Sequence, residues 1–169
     1  MPFVLRCALL CAAMAFAAPT QAQTNNANTE QHRRNGDVLS FALPAGVAVA
    51  AWWQDRQSPP RDEERGELSQ FALSFAATLA TTEVLKRAVR SERPDGRDNF
   101  SFPSGHAARA FSAATFVHRR AGFESAWPLY AAATYVGWTR VQADRHRWAD
   151  VAGSLAVSAA ASWALASPR

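Results

Sequence analysis

Three groups of residues have types and spacing that suit chemistry on an anion. In the first group, Lys86 is followed seven positions later by the pair Arg93-Pro94. On a helix, positions 86, 90 and 93 share one face, so Lys86, Arg90 and Arg93 can converge there. Clustered cations repel one another unless an anion lies between them, so this group predicts an oxyanion clamp. A solvated basic helix face is the alternative interpretation.

Lys86 differs from every other cation in the chain. The 18 basic residues comprise 17 arginines and this single lysine. A guanidinium grips two oxygens of an anion at once, whereas an ammonium places a compact charge on one oxygen. The lone lysine therefore raises the question of whether an ammonium is needed at this position.

The second group is the segment Phe-Pro-Ser-Gly-His at positions 102–106. Ser104 is a favourable helix N-cap, and the free amides and positive dipole end of a first helical turn attract an oxyanion. Gly105 would let a phosphate oxygen approach the backbone closely, and His106 would place a titratable proton beside it. Taken alone, the same segment is also typical of an ordinary loop-to-helix junction.

The third group consists of Arg140, His146 and Asp150. A spacing of four residues would put His146 and Asp150 on one helical face, where the carboxylate can hold one ring nitrogen and leave the other as a nucleophile. A surface salt bridge and a metal-binding pair are the alternatives. The group contains no second nearby histidine and no cysteine, and the neighbouring arginines would repel a cation, so we predict neither a metal nor a cofactor.

Together, the three groups supply an anion clamp, an oxyanion cradle with an acid, and an oriented nucleophile. Their order and spacing resemble those of the type 2 phosphatidic acid phosphatases, which share a superfamily with bacterial class A acid phosphatases and vanadium haloperoxidases. The resemblance covers Lys86 to Asp150, which includes all three motifs. One departure is Thr139, which stands before Arg140 where the family pattern has serine, and both side chains carry a hydroxyl.

The resemblance implies a role for each matching residue. His146 is the implied nucleophile that forms a phosphohistidine, Asp150 orients it, and His106 protonates the leaving oxygen. The implied phosphate-binding residues are Lys86, Arg93, Ser104, Gly105 and Arg140. The implied activity is metal-independent hydrolysis of phosphate monoesters or diphosphates, with a lipid-linked phosphate as the expected substrate.

Several other functions fit parts of the pattern. A non-specific periplasmic acid phosphatase would act on soluble phosphomonoesters with the same residues. A vanadate-dependent haloperoxidase would place vanadate in the phosphate cradle, although the chain is short for that role. A non-catalytic oxyanion-binding protein would not need both histidines. Nucleic-acid binding is not expected, because the chain contains no recognition motif.

The elements that position these residues are predicted to be helical. Apolar residues recur with helical spacing, and no alternating run of β-branched residues indicates a strand. We expect an all-α fold, a compact bundle of five or six helices with the active site at helix ends. The predicted helices cover residues 38–53, 67–90, 104–122, 127–141 and 146–166, with the first kinked or started at Pro44.

The first 22 residues have the pattern of a secretory signal peptide. Arg6 precedes an apolar stretch at residues 7–18, which is too short to span a bilayer, and a small-x-small cleavage site ends at Ala22. Residues 23–36 are polar and predict a flexible lead-in, and residues 37–169 predict a single domain. We therefore expect export to the periplasm or to the periplasmic face of a membrane.

The composition agrees with an exported enzyme that acts on an anion. The 169 residues carry a formal net charge of +4 and are 49% hydrophobic, which excludes a disordered chain and favours an anionic partner. The expected partner is a phosphorylated small molecule or lipid phosphate, with contact to a membrane surface. The sequence predicts no oligomeric state. Seven aromatic residues are expected in the core rather than in an acyl groove: Trp52, Trp53, Phe100, Phe102, Trp127, Trp138 and Trp148.

Overall fold

A computed structural model describes residues 25–58 and 65–169, and five α-helices account for most of them. No strand occurs in either of these ranges, so the prediction of an all-α fold is confirmed. The predicted signal peptide at residues 1–22 lies outside the described residues. The helices are α1 (Asn25–Gln57), α2 (Glu67–Val89), α3 (Gly105–Ala121), α4 (Phe123–Gln142) and α5 (Trp148–Leu165).

Helix α3 is the central helix and packs against each of the other four. A helix that is surrounded in this way needs small side chains where its neighbours approach. Five of its ten buried residues are alanine, and Phe111, Phe116 and Val117 supply the larger apolar groups. Phe116 packs edge-on against Phe71 of α2, with their ring centroids 5.1 Å apart. The core is therefore built mainly from small residues around α3.

Serine side chains join α5 to α3. Ser154 and Ser158 lie four residues apart on α5 and are fully buried. Ser154 Oγ donates to the carbonyl of Ser104 at 2.8 Å, and Ser158 Oγ donates to the carbonyl of Ala108 at 3.1 Å. The backbone amide of Ser104 donates to the carbonyl of Asp150 at 3.2 Å. The N-terminal ends of α3 and α5 are thus held side by side.

Helix α1 begins earlier than predicted. Residues 25–36 are helical, whereas the sequence predicted a flexible lead-in over residues 23–36. Asn, Gln and Thr have weak helix propensities, which tertiary contacts can override. Here His32 Nδ1 forms a 2.8 Å hydrogen bond with Tyr135 of α4, and its ring packs edge-on against Trp138. Pro44 neither starts nor ends the helix, which continues on both sides of it.

The other helix boundaries agree with the prediction to different degrees. α2 and α3 lie within one residue of the predicted bounds. α4 begins at Phe123, four residues before the predicted start, and Pro128 lies inside it. α5 begins at Trp148, so His146 precedes the helix and does not share a helical face with Asp150 as predicted.

The prediction that the aromatic residues belong to the core is wrong for most of them. Five of the seven are exposed, with relative accessibilities between 41% and 55%, and they are Trp52, Trp53, Phe100, Trp127 and Trp148. Alanine-rich helix contacts leave little room for large rings inside the bundle, which explains their position at the surface. Phe102 and Trp138 are partly buried.

Among the described residues, one stretch is long and apolar enough to cross a membrane, namely Asn28–Gln57 of α1. This property depends on length and composition alone, and core helices of soluble proteins share it.

Gly137 allows α4 to pass close to α5. A Cβ atom at Gly137 would lie 2.5 Å from Cγ1 of the buried Val151. We expect Gly137→Ala to lower the free energy of unfolding by about 1–3 kcal/mol, because the stiff valine side chain leaves no room. Urea unfolding would measure the change. Ala131→Leu, at an exposed position of the same helix, should stay within about 0.5 kcal/mol of wild type. Equal stability of the Gly137→Ala variant would contradict the packing argument.

Candidate active site

A cavity of about 370 Å³ lies where the first turn of α3 meets the loops at residues 90–104 and 143–147. Two histidines, one glycine and two carboxylates contribute to its wall, and the remaining six residues are cationic. The lining residues are Arg33, Asp37, Glu83, Lys86, Arg93, Gly105, His106, Arg109, Arg140, Arg145 and His146. Six of the eight residues predicted for the site therefore face one space, and the excess of positive charge suits an anion.

Lys86 reaches the cavity from the last turn of α2. Its Nζ donates to the backbone carbonyls of Phe100 at 3.0 Å and Pro103 at 2.6 Å, which places the ammonium beside the start of α3. Burial and the nearby charge of Arg93 lower its pKa. Helix α2 ends at Val89, so the three cations of the first motif do not share a helical face as predicted.

Arg93 lies in the loop after α2 and is held by groups from two loops. Its Nε donates to Asp98 Oδ1 at 2.7 Å, and its Nη1 donates to the carbonyl of Arg145 at 3.2 Å. The same Nη1 lies 3.3 Å from Nε2 of His146. Arg93 therefore faces the cavity through loop contacts, whereas the exposed Arg90 does not line it.

His146 is buried just before α5, with only 4% of its surface exposed. A guanidinium can only donate, so the contact with Arg93 makes Nε2 of His146 an acceptor. A neutral ring then carries its proton on Nδ1, which lies 3.5 Å from Asp150 Oδ2 and makes no hydrogen bond to the residues that the structure describes. Burial and the charges of Arg93 and Lys86 lower the pKa of His146 to about 4, although Asp150 and the Ser101 backbone oppose this shift. The ring is therefore neutral at pH 7, with the Nε2 lone pair on the side of Arg93.

Asp150 lies behind His146 in the first turn of α5 and is 2% exposed. Its Oδ2 accepts from the Ser101 hydroxyl at 2.5 Å and from the backbone amide of Arg147 at 2.8 Å. These two donors hold the carboxylate in place beside the ring. Sequence reasoning missed Ser101, because its contact joins residues 49 positions apart and no spacing indicates it.

Ser104 and Gly105 form the start of α3. Ser104 is the N-cap, as predicted, and its Oγ accepts from the amide of Ala107 at 3.5 Å. It is fully buried and does not line the cavity. Gly105 lines the cavity, and a Cβ atom there would meet nothing closer than Lys86 Cε at 3.9 Å. The glycine thus leaves open space at the positive end of the helix, where an oxyanion can approach the backbone.

His106 and Arg140 meet at a carboxylate that the sequence did not indicate. Asp37 of α1 accepts from Arg140 Nη1 at 2.7 Å, and the same oxygen lies 3.0 Å from His106 Nε2. Burial, Arg140 and Arg109 lower the pKa of His106 to about 4, and Asp37 acts in the opposite direction. Asp37 was missed because it is 103 residues from Arg140 and belongs to a helix with no recognisable motif.

Arg109 is a second residue that sequence reasoning missed. It follows His106 by three positions on α3, and its guanidinium lies 4.4 Å from the ring centroid of Phe41 on α1. Its Nε is buried and makes no hydrogen bond within the described parts of the chain. The available signal was the helical spacing from His106, which places both side chains on one face.

The arrangement can bind an anion and attack it. Lys86, Arg93 and Arg140 surround the space beside His146 Nε2, and His106 lies in the wall of the same cavity. Within residues 25–58 and 65–169, no three His, Cys, Asp or Glu side chains are placed to hold a metal ion. The cationic side chains of the cavity wall can stabilise negative charge here.

Two curated relatives align with parts of the chain. A lipid A 1-phosphatase of Porphyromonas gingivalis is 41% identical over 89 residues, which is 51% of this chain and 20% of that protein. A lipid A 4'-phosphatase of Helicobacter pylori is 35% identical over 122 residues, which is 66% of this chain and 57% of that protein. The matches thus span less than two thirds of either relative. No solved structure matches the chain significantly.

A family model provides the broader match. The model of the PAP2 superfamily aligns with residues 67–167, which include all three motifs and both cavity histidines. The match covers more than half of the chain and runs from α2 to the end of α5. Together with the geometry of the cavity, it shows that this chain belongs to the PAP2 superfamily.

Proposed function

We propose that the protein is a phosphatase that hydrolyses a phosphorylated lipid through a phosphohistidine, without a metal ion. The observation that carries this proposal is the position of His146. Its ring is buried against Asp150, and its Nε2 is an acceptor 3.3 Å from Arg93 in a cationic cavity. A residue that only bound an anion would present a proton to it. An unprotonated nitrogen is instead a nucleophile.

In the first step, His146 Nε2 attacks the phosphorus atom, and the bond to the leaving oxygen breaks. The negative charge of the bound phosphate raises the pKa of His106 and favours its charged form, which gives its proton to that oxygen. Lys86, Arg93 and Arg140 stabilise the charge on the other three oxygens. The lowered pKa of His146, about 4, keeps its nucleophilic form populated at neutral pH. Asp150 stabilises the positive charge that the ring acquires when the phosphorus–nitrogen bond forms.

In the second step, water attacks the phosphohistidine. His106, now neutral, accepts a proton from the water, and the phosphorus–nitrogen bond breaks to release inorganic phosphate. Three cationic side chains supply the electrostatic stabilisation that phosphoryl transfer requires, so this mechanism does not depend on a metal ion.

Exposed apolar residues beside the cavity support a lipid as the substrate. Val38 follows Asp37 and is 66% exposed, and Phe41 is 60% exposed against Arg109. Phe100, whose carbonyl binds Lys86, and Trp148, two residues after His146, are also exposed. The names of both relatives indicate phosphorylated lipids as their substrates. We therefore favour a lipid phosphate over a soluble monoester.

The same apolar residues support contact with a membrane surface. Exposed aromatic rings bury their apolar faces at a membrane interface, and arginines around the cavity attract anionic headgroups. We infer that the protein is exported and works at the periplasmic face of a membrane. The N-terminal signal pattern and the apolar helix α1 support this location.

Replacement of the nucleophile tests the mechanism. We expect His146→Gln to lower phosphate release at least about 1,000-fold, because no other described side chain offers an unprotonated nitrogen beside Arg93. Release would be measured with phosphatidate, a polyprenyl diphosphate and p-nitrophenyl phosphate as substrates. His118→Gln, at the other end of α3, is the matched control and should retain activity. Activity of His146→Gln within a few-fold of wild type would refute the phosphohistidine mechanism.

Chelation tests independence from metal ions. We expect phosphate release in excess EDTA to stay within about twofold of the untreated rate, because guanidinium and ammonium groups supply the charge stabilisation. The assay would compare the purified chain before and after dialysis against EDTA, with and without added Mg²⁺ or Zn²⁺. Loss of activity that a divalent ion restores would show that the proposed chemistry is wrong.

The lone lysine can be tested with a matched pair of substitutions. We expect Lys86→Arg to lower kcat/KM about 10- to 100-fold, because a planar guanidinium does not reproduce the contacts of Nζ with two backbone carbonyls. Arg87→Lys, at the adjacent exposed position, also exchanges the two cations and should change kcat/KM less than about twofold. Equal effects of the two substitutions would mean that position 86 requires only a positive charge.

A further inference from the structure

Asp37 contacts two residues of the cavity from outside the region that defines the family. The family model aligns with residues 67–167, whereas Asp37 belongs to α1. One oxygen of its carboxylate lies 2.7 Å from Arg140 Nη1 and 3.0 Å from His106 Nε2. The carboxylate thus links the guanidinium and the imidazole that the proposed mechanism assigns to phosphate binding and to proton transfer.

Backbone contacts between α1 and α4 position this carboxylate. Gly36 packs directly on α4, where a Cβ atom would collide with Thr139 Oγ1 and lie 2.9 Å from Arg140 Nη2. The carbonyl of Arg33 accepts from Arg140 Nη2 at 2.6 Å. Two groups of α1, one turn apart, therefore bind the same guanidinium, which fixes the position of Asp37 relative to α3 and α4.

His106 is otherwise surrounded mostly by positive charge. Arg109 lies on its own helix, Arg33 on α1, Lys86 on α2 and Arg140 on α4. The loops add Arg93, Arg145 and His146, and Glu83 of α2 is the other carboxylate in the cavity wall. Among these groups, Asp37 is the carboxylate in contact with the ring. An acid in such surroundings loses its proton readily, because neighbouring cations disfavour the imidazolium.

We propose that Asp37 is a positioning residue for the acid His106: it orients the ring and favours its charged form against the surrounding cations, as Asp150 orients the nucleophile. This inference rests on the proposed phosphatase function and deepens it. Nε2 of His106 lies at ion-pair distance, 3.0 Å, from a carboxylate oxygen that can only accept, so this nitrogen carries a proton in the proposed arrangement. The nitrogen that remains for the substrate is Nδ1, which carries a proton only when the ring is charged.

Nδ1 of His106 gives up a proton in the first step and regains one in the second. The charged His106 gives its Nδ1 proton to the leaving oxygen as the bond from phosphorus to that oxygen breaks, and the ring becomes neutral. In the second step, water loses a proton to Nδ1 as its oxygen bonds to phosphorus, which restores the charged ring. Nε2 keeps its proton, beside Asp37, throughout, and the carboxylate stabilises the charged ring before the first step and after the second.

Asp37→Asn tests this role, because it removes the charge and retains the shape. Loss of a negative charge lowers the pKa of His106, and the acid must be protonated to act. We therefore expect the alkaline decline of kcat to begin at lower pH. At pH 7 we expect kcat/KM for an alkyl phosphate to fall about 10- to 100-fold, while kcat/KM for p-nitrophenyl phosphate falls less than about threefold, because p-nitrophenolate leaves with little help from an acid. Asp37→Glu should restore part of the alkyl phosphate activity.

Glu124→Gln, at an exposed position near the start of α4, removes one negative charge far from the cavity and is the matched control. NMR titration of the ¹⁵N-labelled histidines in the full chain gives a readout that needs no turnover, and His106→Gln identifies the signal. We expect the pKa of His106 to be lower in Asp37→Asn than in wild type.

Three results would overturn the inference. Equal losses of activity on the alkyl phosphate and on p-nitrophenyl phosphate, with an unshifted pH profile, would mean that Asp37 only holds Arg140 in place. Higher activity, or tighter inhibition by inorganic phosphate, would mean that Asp37 competes with the substrate for the cationic cavity. An unchanged pKa of His106 would also contradict it. A wild-type chain with no phosphatase activity would instead refute the proposed function, and the NMR titration would still test the contact.

Discussion

Repulsion among like charges is the constraint on which this site depends. Six cationic side chains face a cavity of about 370 Å³, and each loses part of its hydration there. The protein offsets the repulsion with short contacts to fixed oxygens. Carbonyls of Phe100 and Pro103 hold Lys86, and carboxylates hold Arg93 and Arg140. The cations are therefore oriented before any anion binds, which lowers the cost of reorganisation during a reaction.

The scaffold supplies this orientation by bringing chain segments together at one end of the bundle. The small residues of α3 let the other four helices approach it closely, and buried serines of α5 bind its backbone carbonyls. The loops after α2 and α4 are joined to each other, since Asp95 donates its amide to the carbonyl of Asp144 and Arg147 binds the carbonyl of Glu92. Both histidines thus lie on backbone that is fixed by contacts beyond their own segment.

Sequence patterns that act over a few neighbouring residues were sufficient to predict much of this structure. Helical periodicity predicted α2 and α3 to within a residue, because caps and apolar spacing act over a few positions. Motif spacing identified the residues that converge on the cavity, although His146 and Arg93 reach it from loops and not from helical faces. Asp37, Ser101 and Arg109 were missed, since their roles depend on contacts between distant segments or on the shape of the cavity. The helix over residues 25–36 was missed for the same reason, as its polar residues are stabilised by α4.

The hydroxyl contacts between α5 and α3 have a consequence for how the two helices find their alignment. Ser154 and Ser158 lie four residues apart, and so do their acceptors, the carbonyls of Ser104 and Ala108, so a shift of α5 by four residues, roughly 6 Å, would place Ser154 at the acceptor of Ser158. A repeating contact of this kind holds two helices together without selecting one alignment. Asp150 ends the row with contacts that do not repeat, to Ser101 and to the amide of Arg147. The carboxylate that supports His146 therefore also helps to select the native register, together with the paired hydroxyls of Thr115 and Ser162.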